Sequence, residues 1–74
     1  MSARADRTAV IVASLEGGQM RSVLRFAAHE FDTAVAAVRS LVDAGREVRV
    51  TYLSLANGAL APEQRARLDQ EVER

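Results

Sequence analysis

His29, Glu30 and Asp32 crowd into one short stretch, and their types come nearest to a reactive cluster in this sequence. A histidine between carboxylates would shuttle a proton or supply one arm of a metal site. Transition-metal sites need several donors drawn from histidine, cysteine and carboxylate. The chain has one histidine and no cysteine. The cluster therefore reads as a polar turn ahead of a helix, where the helix dipole favours acids. Ser14, Ser22, Ser40 and Ser54 are scattered, and none sits in a nucleophile-elbow pattern. Gly17-Gly18 lacks the glycine spacing, the lysine and the following helix of a phosphate loop. Asp69, Glu71 and Glu73 read as the solvated face of a short helix. The expectation is no catalytic, cofactor-binding or metal-ligating residue, and no enzyme.

Charge points away from a dedicated nucleic-acid binder. Ten basic residues balance ten acidic ones. Phosphate binding normally draws on a basic excess. Every basic residue is arginine and lysine is missing, which reads as the codon bias of a GC-rich bacterial or phage genome. With 74 residues the chain makes one domain at most, and no disulfide reinforces it. Chains this small commonly gain stability from self-association or a partner. The longest apolar run, from Ala9 to Ala13, is too short to cross a bilayer. Residues 1–7 are polar and read as a flexible lead-in without a signal peptide's apolar stretch, so a cytoplasmic location is expected.

The elements follow from periodicity. Two β-capable runs, TAVIVASL and MRSVLRFA, flank Gly17-Gly18 and predict a hairpin with a primed two-residue turn. Asp32 or Thr33 is the expected N-cap of a helix running to about Ala44, with Gly45 as its stop. Phe31, Ala34, Val35, Val38, Leu41 and Val42 form its apolar stripe. Residues 46–55 alternate as a third strand, with Val48, Val50 and Tyr52 on one side. Asn57-Gly58 is a turn signal that would allow a short return strand at Ala59-Leu60. Pro62 opens a last helix whose apolar stripe, Ala61, Leu68 and Val72, is thin.

The predicted fold is α+β in the order β-β-α-β-α, a single domain over residues 8–74. Its three-stranded, or at most four-stranded, mostly antiparallel sheet carries one amphipathic helix on one face, and a short C-terminal helix follows. The first strand has the most continuous apolar run and is placed at the centre, between the second and third.

Carried straight through from the turn, the hairpin register pairs Leu15 with Met20, Ala13 with Ser22, Ile11 with Leu24 and Ala9 with Phe26. All but Ser22 are apolar, so this is the expected core face. The second face would then present Val10, Val12 and Val23 inside a rim of Arg21, Arg25 and Arg49. Those six are the expected partner-binding residues. The expected role is a non-enzymatic protein-interaction or assembly module, an adaptor or inhibitor. It would self-associate, as a homodimer or larger homo-oligomer, or bind a protein through this face or a sheet edge. The alternative is nucleic acid contacted by those arginines, on a face without aromatic residues for base stacking. The C-terminal helix could instead fold over the second face.

Overall fold

In a computed structural model of the protein, which describes residues 8–53 and 60–73, the hairpin closes on Gly17 and Gly18. Their φ values of 61° and 83° are the left-handed pair that a primed turn requires. β1 (Thr8–Glu16) and β2 (Gln19–Ala27) form its arms. A 3₁₀ turn, Ala28–Glu30, leads into α1 (Phe31–Asp43), then come β3 (Glu47–Tyr52) and α2 (Pro62–Val72). The sheet is antiparallel in the order β2-β1-β3, so the apolar first strand is central.

The first helix starts at Phe31, earlier than a cap at Asp32 or Thr33 would allow. Glu30 instead reaches back, and its Oε1 accepts from the Ala27 N–H at 2.9 Å. Gln64 repeats the device at α2, accepting from the Ala61 N–H at 2.9 Å, with Pro62 as the first helical residue. At the other end of α1, Arg46 N–H bonds Leu41 O and Gly45 N–H bonds Val42 O, a closure that needs Gly45 at its φ of 81°. The expected turn at Asn57-Gly58, the strand position Ala59 and the lead-in over residues 1–7 lie outside the described residues. Leu60 is buried but not in a strand.

Both helices lie on one side of the sheet. Ala34, Val35 and Val38 of α1 and Leu68 of α2 share a single core with Val10, Val12, Phe26 and Val48. The C-terminal helix therefore sits beside α1 and does not fold over the opposite face. It packs on α1 and β3 without reaching β2. Glu71 locks the two helices together: Arg39 donates to it from Nε at 3.3 Å and Nη2 at 2.8 Å. Arg67, one turn earlier on α2, donates from Nε at 3.2 Å.

Candidate functional site

Which residues face outward depends on one extra residue in β2. The pairs Glu16–Gln19 and Leu15–Met20 follow the simple hairpin. Beyond them Arg21 has no partner of its own, and Ser14 pairs with Ser22. From that bulge the register runs one residue off the straight continuation: Ala13 meets Val23, Val12 meets Leu24, Ile11 meets Arg25 and Val10 meets Phe26. A second irregularity at Ala9 restores Thr8 opposite Ala27.

This corrects the face assignment. Val10 and Val12 are fully buried at 0% exposure, in the core beneath the helices, so neither belongs to an outward patch. Ile11, Ala13 and Leu15 take the outward side of the central strand, since side chains alternate along a strand. Ala13 and Leu15 are nevertheless largely covered, whereas Ile11 is half-buried. Met20, expected in the core, is the most exposed large apolar side chain at 62%. Ala9 and Phe26 do lie in the core as expected.

Val23, Arg25 and Arg49 do stand on the outward face. Val23 lies directly across Ala13 from Arg49, and Arg25 lies across Ile11 from Thr51. Arg49 has Glu47 at 3.9 Å, a loose exposed pair of little strength. Arg21, at the bulge, turns to Glu16 at 3.1 Å and leaves the row that Val23 and Arg25 form. The outward face therefore has Ile11, Ala13 and Leu15 along β1 in place of Val10 and Val12, and one arginine fewer in its rim than the straight register implies.

The stronger feature is the strand β2 itself. Met20, Val23 and Leu24, at 62%, 43% and 39%, are the exposed large apolar residues among those described, and all three sit on it. Val23 points to the open face, and Leu24 points to the helix side. Leu24 stays 39% exposed there, since α1 alone of the two helices reaches β2 and α2 packs on β3. The outer edge of β2 faces no further strand among the described residues. Its row of N–H and C=O groups is thus free to accept one. The sequence signal for this was present in the apolar residues of QMRSVLRFA, but the continuous register assigned Met20 and Leu24 to the core.

Other chemistry is sparse. His29 is exposed on the 3₁₀ turn, and its neighbour Glu30 is engaged in capping. Among the described residues no three histidine or carboxylate side chains are grouped to hold a metal. An open depression of about 300 Å³ lies between the hairpin turn and the end of α1, bounded by Leu15, Glu16, Gly45, Arg46 and Glu47. It presents no histidine or hydroxyl nucleophile. Ser14 and Ser22 satisfy each other, their hydroxyl oxygens 2.6 Å apart.

Tyr52 closes the far end of the helix side. Its hydroxyl donates to Asp69 Oδ1 at 2.6 Å and also lies 3.0 Å from the Arg65 carbonyl oxygen. Partial burial, and then the hydrogen bond to Asp69, hold its phenol well above the ordinary tyrosine pKa. The contact anchors α2 to β3 and is structural in character. Among the described residues no helix is long and apolar enough to cross a membrane. No family model, no curated protein and no solved structure matches the chain.

Proposed function

We propose that the protein is a small interaction module that takes a protein partner along β2 and the adjoining open face of its sheet. One observation supports this most: the exposed large apolar residues among those described all lie on a single edge strand, which α1 covers only in part and α2 does not reach. Covering what remains open of Met20, Val23 and Leu24 would contribute on the order of 1 kcal/mol each. Arg25 and Arg49 would set orientation more than affinity. Binding rather than catalysis is the role this surface serves.

Nucleic acid is the competing partner, because Arg25 and Arg49 flank the outward side of β1. The same face carries no aromatic side chain to stack a base, since Phe26 and Tyr52 share the helix side.

The test selects displayed random peptides on the immobilised full chain and repeats the selection on Val23→Glu, with circular dichroism confirming that the variant is folded. Peptides held by the wild type and lost on the variant are the expected result. Peptides that bind both equally would place the contact elsewhere. Tight binding of mixed DNA or RNA at low salt, abolished by Arg25→Glu with Arg49→Glu and unaffected by Val23→Glu, would transfer the proposal to nucleic acid. Sedimentation equilibrium completes the set: a dimer lost on Val23→Glu would make the partner a second copy.

A further inference from the structure

The β2 edge carries charge of one sign. Gln19–Ala27 includes Arg21 and Arg25 and no acidic residue, although the chain as a whole is neutral. Arg21 is satisfied by Glu16 at 3.1 Å in an exposed pair. Arg25 is exposed and has no ion pair among the described residues. Two such strands laid edge to edge would bring four arginines along one seam with no acid between them. Charges on an edge discourage pairing with a like strand. The same charges favour a strand of opposite sign, so repulsion of one partner selects another.

The two sides of β2 differ, and the difference specifies what would lie beside it. On the helix side Leu24 extends the core layer outward and remains 39% exposed. On the open face Val23 and Arg25 stand two residues apart. A strand added next to β2 would gain by placing aliphatic side chains beside Leu24. It would gain again by placing carboxylates beside Arg25. Side chains of an extended segment alternate between faces, so both demands are met by one pattern.

We infer that β2 is a docking edge for an extended segment of another protein in which aliphatic and acidic residues alternate, added to the sheet as a fourth strand. This rests on the reading of β2 as the contact surface. Main-chain hydrogen bonds supply affinity in such an addition, and the alternate side chains supply specificity. Arg25 is the main determinant of charge preference, with Arg21 second because Glu16 already engages it.

The probe is a capped nine-residue peptide of alternating valine and glutamate, titrated into isotopically labelled full chain and followed by amide shifts and hydrogen exchange. Its counterparts are a valine–lysine peptide and a valine–glutamate peptide with a central proline. The glutamate peptide should protect β2 amides and bind about tenfold or more tightly than the lysine peptide. Its affinity should fall as salt rises. Arg21→Glu with Arg25→Glu should reverse the preference. Should that variant misfold, the salt dependence of the wild type still reads the charge term. A proline peptide that binds as well as its parent would overturn strand addition, because proline removes a ladder donor. Peptides that dock on β2 without charge preference would overturn the acidic pattern while leaving β2 as the contact surface. Perturbations confined to β3 or the helices, or no binding of any peptide, would overturn both.

Discussion

Ser14 and Ser22 hold their hydroxyl oxygens 2.6 Å apart across the hairpin, on the side that faces the helices. The pair is the first one past the bulge at Arg21, and it marks the register that decides which residues of β1 are buried. Deleting Arg21 should leave every pair from Ser14–Ser22 to Val10–Phe26 in place, since the extra residue alone separates the two registers. Denaturant unfolding should change by about 1 kcal/mol or less. The flatter edge, one arginine poorer, should self-associate more readily in sedimentation experiments. An unfolded deletion variant would contradict the assignment.

Val12 and Val23 separate the two possible faces of β1 and β2 most cleanly. Val12→Ala should cost about 2 kcal/mol, because the residue is fully buried and leaves a cavity. Val23→Ala, at a site 43% exposed, should cost well under half of that. Equal losses in denaturant unfolding would argue for the straight register.

Much of the architecture was legible in the sequence, and the faces were not. Gly17-Gly18, the 3.6-residue stripe of α1 and the alternation of Val48, Val50 and Tyr52 give the element order directly. The apolar run of β1 places it at the centre of the sheet. That same run hides its parity: Val10, Ile11 and Val12 are all aliphatic, so either alternate set reads as core. A period-two argument carried from the turn has no means of sensing one unpaired residue at Arg21. The packing of α2 was hidden for another reason. Leu68 and Val72 make a thin stripe, and the carboxylate that completes it, Glu71, has its partner Arg39 32 positions away in sequence. Of the six residues expected at the partner surface, Val23, Arg25 and Arg49 stand on the open face, Arg21 is turned to Glu16, and Val10 and Val12 are core.

Glu71 should be the most sensitive charged residue for stability. It is almost fully buried and accepts from Arg39 and Arg67, both half exposed. Glu71→Ala should lower unfolding stability by about 1–3 kcal/mol through lost charged hydrogen bonds. The arginines, left near solvent, would rehydrate, which keeps the loss below that of a wholly buried pair. An unchanged denaturation midpoint would show that the helices do not depend on this contact.

Tyr52 makes an alkaline prediction of unusual clarity, because the chain has no lysine or cysteine and a single tyrosine. Its folded pKa is raised above the ordinary 10.0, so the folded state holds the phenolic proton more tightly than the unfolded chain does. The resulting stability is fully present below about pH 10 and is lost as pH rises through that value towards the folded pKa. Tyr52→Phe should flatten the decline in denaturation midpoint over this range, while lowering stability at neutral pH by removing the bond to Asp69. Parallel declines in both proteins would remove the tyrosine from the account.

The most direct measurement of the central claim is amide hydrogen exchange on the full chain with and without the valine–glutamate peptide. The account predicts slowed exchange along β2, at Val23 to Arg25, with β3 unchanged, and no such slowing with the valine–lysine peptide. Protection on β3 alone, or none on either edge, would contradict the assignment of β2 as the surface through which this protein works.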